Sequence, residues 1–291
     1  MDSGTSGTVP RTLSVDRMAS GDHACLGFDD DDARWEIRAA FAESGLHRGE
    51  QVLLFTDPAT TTEETITRLS ALGVRAARAL ALGSLVILDN GIPGYDPAAG
   101  FDPEAHAATW VRATDDAHRQ GFPGIRAVGD MSWVLQGVDH DRLIAYEAAL
   151  TPVFADIGFT AICEYDRRRF TPDLLGRVSA AHPTSVLQRL DALHIEHADG
   201  TLVISGDADL ATRSEFEFGL REAFDSPDGP PRLVDLTELS FIDAHCAALL
   251  VRRTADLDPA ARLVLRCPPL HARTLRLCGA TEVPQLFLVE G

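Results

Sequence analysis

The feature that most constrains this chain is an alternation of short, unbroken apolar runs with longer amphipathic stretches. Between His23 and about His182 the strand-like segments are Ala24–Phe28, Gln51–Thr56, Leu85–Asp89, Ile125–Val128 and Thr160–Tyr165. The helix-like segments between and after them are Asp31–Ser44, Thr62–Leu72, Pro103–Gln120, Asp139–Asp156 and Pro172–Ala181. Most of these open near Asp, Thr or Pro, the residues that cap or start a helix. Runs such as VLLF (52–55) and LVIL (85–88) lack the polar alternation of a half-exposed strand, so both faces of the sheet should be covered. The expected fold is α/β, a doubly wound, mainly parallel sheet.

Around Pro183–Asp191 the pattern resets and a smaller α/β unit begins. LHIEH (193–197), a turn at Ala198–Gly200 and TLVISG (201–206) read as a hairpin. A helix (Thr212–Phe224), a strand ending in LVDL (233–236), a helix from Asp243 to about Ala255, a strand RLVLRC (262–267), a short helix (Pro269–Leu277) and a last strand QLFLV (285–289) follow. The expected organisation is a disordered Gly/Ser/Thr-rich tail over 1–16, a first domain over 17–186, a linker over 187–191 and a second domain over 192–291.

Composition removes several functions. All 26 basic residues are arginine, so the lysine of a P-loop, of a protein kinase or of a Schiff base is absent. The loop after the first strand, Asp29–Asp32, has the wrong charge for a phosphate and no glycine cradle. A net charge of −18 repels nucleic acid and anionic lipid, so neither is expected as a partner. No apolar run reaches the roughly 18–20 residues of a membrane span. The polar N-terminal stretch has no apolar leader core, and the expected location is the cytoplasm. The five cysteines include no CxxC pair and read as small buried residues.

In a doubly wound sheet, ligands bind beyond the carboxyl ends of the strands. GDMSW (129–133) and CEYDRRRF (163–170) lie on or just after such ends and would bring acids, arginines, Trp133 and Tyr165 around one crevice. Each has a plainer reading. Arg167, Arg168 and Arg169 could form ion pairs with Glu164, Asp166 and Asp173; Trp133 could be core; Glu147 could be a surface acid in mid-helix. His23, Cys25 and His182 raise the question of a metal. However, residues two apart on a strand share one face without making a tetrahedral set, and the sequence fixes no third ligand, so no metal is expected. Cys25 or Cys163 with a histidine has no recognisable catalytic signature. No enzyme activity and no cofactor are expected.

Two resemblances extend this reading. Asp22-His23-Ala24-Cys25-Leu26-Gly27-Phe28, Gly49–Asp57 (GEQVLLFTD), Gly129-Asp130-Met131-Ser132-Trp133, Tyr146-Glu147, Cys163–Phe170 and His182-Pro183 occur in this order and resemble the MEDS domain, a bacterial sensory module, over about 17–186. That resemblance implies a RecA-like fold and a small organic ligand. It points to His23, Trp133, Glu147, Glu164, Tyr165, Arg167, Arg168 and His182 as ligand-binding residues. One departure is Phe28, where the family commonly has tyrosine. The second resemblance is carried by Leu233–Leu250 (LVDLTELSFIDAHCAALL) with the upstream DGTLVISGDADLAT (199–212), which are similar to the STAS domain of anti-sigma factor antagonists over 192–291. It implies docking of an anti-sigma factor or related switch protein around Asp243, Ala244, His245 and Cys246. Asp243 alone is explained as a helix N-cap. Phosphorylation-switched members carry small hydroxyl residues after that aspartate; here Ala244 and His245 have none, so the usual serine switch is missing and phosphohistidine at His245 is the remaining variant.

Together these imply a signalling protein of transcription regulation, sensory domain plus docking domain, with a homodimer left open. The alternatives are an enzyme acting on a small metabolite in the first domain and a ligand-free STAS scaffold.

Overall fold

The computed structural model describes residues 11–57, 59–88, 95–96, 100–190 and 192–291. By Cα proximity the chain separates into two compact units, one of Met18–Arg189 with Arg11 and the other of Leu190–Gly291 with Thr12–Arg17.

The chain opens with strand β1 (Arg11–Leu13), and the first unit contains β2 (His23–Phe28), β3 (Gln51–Phe55), β4 (Leu85–Leu88), β5 (Tyr95–Asp96), β6 (Gly100–Phe101), β7 (Ile125–Asp130), β8 (Phe159–Asp166) and β9 (Thr184–Val186). Its helices are α1 (Asp31–His47), α2 (Thr62–Ala71), α3 (Ala76–Ala81), α4 (Pro103–Arg119), α5 (His140–Ile157) and α6 (Pro172–Ala181). A seven-stranded sheet runs in the order β1-β9-β2-β8-β7-β3-β4, and β5 pairs with β6 apart from it. The pairings of β2 with β8 and β9, of β3 with β4 and β7, and of β7 with β8 are all parallel. α2 contacts α1 and α3, and α5 contacts α4 and α6, which gives the sheet a helical layer on each face.

The helix starts follow local chemistry. Asp30, Thr61, Asp102, Asp139 and Thr171 each turn a side-chain oxygen onto free N–H groups of the first turn. Pro103 and Pro172 occupy the first turn, where the missing N–H costs nothing. The strand alternation then divides the sheet into two chemistries. On β8, Ala161, Cys163 and Tyr165 face one way while Ile162 and Glu164 face the other. Ala161 and Tyr165 join Ala127 of β7 and Leu150 and Phe154 of α5 in the main core cluster, which Cys163 packs against; Glu164 meets α1.

The second unit contains β10 (Leu193–Ala198), β11 (Thr201–Ala208), α7 (Arg213–Phe224), β12 (Leu233–Asp235), β13 (Leu239–Ile242), α8 (Ala244–Ala255), β14 (Leu263–Cys267), α9 (Pro269–Leu277) and β15 (Leu286–Glu290). Its sheet runs β10-β11-β12-β14-β15, with β13 also on β11. The β10–β11 hairpin is antiparallel and the other pairings are parallel. Asp199 takes the left-handed conformation (φ 52°) in the hairpin turn, beside Gly200 (φ 75°).

The sequence reading differs in three places. The tail expected to be disordered over 1–16 contains a strand, Arg11–Leu13, and a 3-10 turn, Val15–Arg17; residues 1–10 lie outside the described residues, as do Asp89 at the expected end of β4 and Asp191 of the expected linker. The short helix α3 and strand β9 lack the length that reveals periodicity. β13, three residues after β12, is a short strand that the sequence reading did not include; the expected strand ended at Leu236.

Candidate functional site

The residues that converge do so inside the first unit, between the sheet and α5 and α6. His23 opens β2, Cys163 lies midway along the adjacent β8, Glu147 comes from the middle of α5 and His182 ends α6. The parallel register sets Cys25 opposite Cys163 and His23 opposite Ala161, so Cys163 Sγ comes within 3.7 Å of His23 Nε2. Glu147 Oε2 stands 3.3 Å from His23 Nε2 and 3.5 Å from His182 Nε2, and 3.9 Å from Cys163 Sγ. The four donor atoms lie within 4.8 Å of one another. His23, Glu147 and His182 are fully buried.

Other groups fix these side chains. His182 Nδ1 donates to the Val178 carbonyl at 2.7 Å, which leaves the lone pair on Nε2 facing the carboxyl group. His23 Nδ1 meets Thr151 Oγ1 at 3.2 Å. Tyr165 donates its hydroxyl to Glu147 Oε1 at 3.3 Å. The imidazole rings of His23 and His182 are 4.3 Å apart.

Burial governs the protonation of this cluster. It lowers His23 to about 3 and His182 to about 4; for His182 neighbouring His23 adds to the fall, against the pull of Glu147 and the Val178 carbonyl. Burial raises Glu147 despite His182, Tyr165 and Cys163, and raises Cys163 well above the usual thiol range. At neutral pH the imidazoles are neutral and the thiol is protonated, and Glu147 is held toward its protonated form.

Glu147 and Cys163 also border a cavity of about 50 Å³ in the same layer. Its walls are aromatic: His106 and Trp110 of α4, Trp133, Tyr146 and Phe154 of α5, and Phe159. The Trp110 indole donates to the Tyr146 hydroxyl at 2.9 Å. His106 stacks on Tyr146 with ring centroids 5.1 Å apart, is 3 % exposed, and has no hydrogen-bond partner for either ring nitrogen. The volume exceeds what one water needs and suits a molecule of a few heavy atoms.

The donor cluster lies between the sheet and α5 and α6, and the cavity beside it reaches Met131 and Trp133, just after the carboxyl end of β7. His23, Glu147, Tyr165 and His182 come together, and Trp133 lines the cavity beside them. Glu164 does not join: strand alternation turns it to the opposite face, where Arg38 Nε bonds it at 2.9 Å and Arg34 Nε at 2.8 Å. Arg34 also holds Asp130. Arg167 and Arg168 are exposed. Arg168 pairs with Asp166 and Asp31, and Arg169 with Asp57, so the ion pairs considered with Glu164 and Asp173 are replaced by these. Arg167 lies over Gly27, where a Cβ would come within 2.9 Å of its Nε. Phe28 packs under the Arg34 guanidinium, 4.2 Å from it, away from the cluster.

Sequence reasoning missed Cys163 as a neighbour of His23, and with it the four-donor set; Cys25 instead meets Ser185 at 3.6 Å. It also missed His106 and Trp110. Their spacing of four on an amphipathic helix marks them as inward-facing, a signal present in the sequence.

In the second unit, Asp243 accepts from the Cys246 N–H at 2.7 Å and from Arg213 at 3.0 Å, as an N-cap at the start of α8. Ala244 and His245 are exposed, His245 meeting Glu217 at 3.4 Å. Cys246 is fully buried in the second core, which removes its side chain from any docking surface.

A buried polar cluster thus lies beside an aromatic cavity in an open, mainly parallel α/β unit. The family model of MEDS, the MEthanogen/methylotroph, DcmR Sensory domain, matches residues 22–183, more than half of the chain, and the chain belongs to that family. A search of curated proteins finds no match. Among the described residues no helix is long and apolar enough to cross a membrane.

Proposed function

We propose that this is a cytoplasmic signalling protein of transcription regulation. Its MEDS unit senses a small organic molecule without turning it over. Its second unit, STAS-like in sequence, docks an anti-sigma factor or related switch protein. The aromatic cavity ending at Glu147 carries the first part of this reading. Its size limits the ligand to a few heavy atoms, its walls favour an apolar body, and Glu147 and the unpartnered His106 favour one polar group.

The docking part rests on the exposed start of α8, where Asp243, Ala244 and His245 follow exposed Phe241. No hydroxyl stands at 244–246, so control by the usual serine phosphorylation has no substrate there and is assigned to the sensor. Coupling requires the ligand to favour one state of the protein, and the docking affinity to differ between states. Neither nucleic acid nor membrane is part of the proposal, and a homodimer is not required by it.

The test uses the full chain and tryptophan emission, since Trp110 and Trp133 both line the cavity. Small alcohols, ketones and amines are titrated into wild type and into Ala161→Val, which fills the cavity from β8. A saturable change in wild type that is lost in the variant supports the reading. No response to any compound, or an equal response in the variant, contradicts it.

A further inference from the structure

We infer that His23, Glu147, Cys163 and His182 form a binding site for a divalent transition-metal ion of the zinc type, at the end of the cavity that Glu147 and Cys163 border. The inference stands whether or not that cavity takes a ligand.

The spacing is the first argument. Zinc bonds of about 2.0–2.1 Å to imidazole, about 2.0–2.2 Å to carboxylate and about 2.3 Å to thiolate put neighbouring donors of a tetrahedron roughly 3.3–3.7 Å apart. Four of the six separations are 3.3 Å (His23 to Glu147), 3.5 Å (His182 to Glu147), 3.7 Å (Cys163 to His23) and 3.9 Å (Cys163 to Glu147), and the other two are within 4.8 Å. A charged hydrogen bond between such groups would be about 2.7–2.9 Å. These atoms surround a common point more than they bond one another.

The direction of the lone pairs is the second. The Val178 carbonyl can only accept, so the proton of His182 sits on Nδ1 and its bare Nε2 is turned inward with no hydrogen-bond partner. His23 likewise has Nδ1 engaged, by Thr151, and Nε2 turned inward. Metal-bound imidazoles are oriented in this way, by a partner on the nitrogen that does not bind. Tyr165 performs the same service for the carboxylate through Oε1, leaving Oε2 for an ion.

Charge is the third. Two neutral imidazoles, one carboxylate and one thiolate carry two negative charges, which a divalent ion cancels in a site without solvent. Binding would release the thiol proton of Cys163 and form four coordinate bonds, with no redox change. A mixed set of imidazole, thiolate and carboxylate selects borderline ions such as zinc over magnesium or calcium.

The experiment uses the full-length chain, stripped with chelator under reducing conditions and titrated with Co²⁺ alone. Saturation at one ion per chain is expected, with tetrahedral bands in the visible and a thiolate charge-transfer band in the near ultraviolet. Zn²⁺ should displace them. Cys163→Ser should lose the charge-transfer band, and Thr151→Val should weaken binding by about 10-fold or more. Wild type needs no variant for a second readout: Zn²⁺ should slow alkylation of Cys163 and leave that of Cys278 unchanged. Absence of saturable binding, a charge-transfer band that persists in Cys163→Ser, or equal alkylation of Cys163 with and without Zn²⁺ would overturn the assignment.

Discussion

Cys163 and Glu164 are neighbours on one strand, yet they belong to two different kinds of buried polar site. On the α1 face, Glu164 accepts from Arg34 Nε at 2.8 Å and from Arg38 Nε at 2.9 Å, and Arg34 also pairs with Asp130. Burial pushes the Asp130 carboxyl up, but Arg34 and Ser132 outweigh it and hold it below its usual value. On the α5 face the same degree of burial surrounds groups with no permanent cation. There the histidines stay neutral, Glu147 is raised, and the donors stand 3.3–3.9 Å apart. One face is an ion network that satisfies itself; the other is a set of donors turned toward a shared space. Burial of polar residues alone therefore does not mark a functional site. Whether their charges and lone pairs are already answered by the protein does.

The largest effect should come from breaking the self-satisfied side. Arg38→Met leaves Glu164 short of a cation and should cost about 3 kcal/mol of stability, read from urea midpoints; no loss would mean that Arg34 suffices. On the neutral side, His106 sharpens the contrast. Burial lowers it to about 4 from an unfolded value near 6.5, so the unfolded chain takes up a proton first. Its contribution to stability is complete above pH 6.5 and falls as pH drops toward 4, by about 3 kcal/mol. His106→Phe should flatten that part of the stability–pH curve, and a curve as steep as wild type's would refute the neutral-imidazole assignment. Tyr165→Phe, which removes the bond to Glu147, should cost about 1 kcal/mol by the same urea measurement. Smallest is Arg168→Ala: its pairs with Asp166 and Asp31 are exposed, and no measurable change in midpoint is expected.

The sequence made the layers legible because VLLF, LVIL and the capped amphipathic helices are strong local signals. Asp30, Asp102 and Thr171 are caps that can be read without coordinates. The candidate site was legible in part. His23, Glu147, Tyr165 and His182 were singled out through the family motifs, but Glu164 was grouped with them although it is one position out of phase with Cys163 and Tyr165. Motif adjacency does not say which face of the sheet a residue takes; the period of two does. Cys163 was not paired with His23, because that contact depends on the order β2-β8 and on a parallel register that no local pattern encodes. The arginine pairs were open for the same reason, since the partners Asp31, at the start of α1, and Asp57, after β3, are distant in sequence.

The contrast between the two faces is tested most directly by one chemical change made on each. Glu147→Gln and Glu164→Gln are compared with wild type by urea unfolding at neutral pH in the presence of a chelator. The neutral donor set predicts that Glu147→Gln stays within about 1 kcal/mol of wild type, since the amide replaces a carboxyl group already held toward its protonated form. Glu164→Gln should lose about 3 kcal/mol, since it leaves the buried Arg38 without its carboxylate and Arg34 with Asp130 alone. Equal losses, or a larger loss at Glu147, would contradict the account.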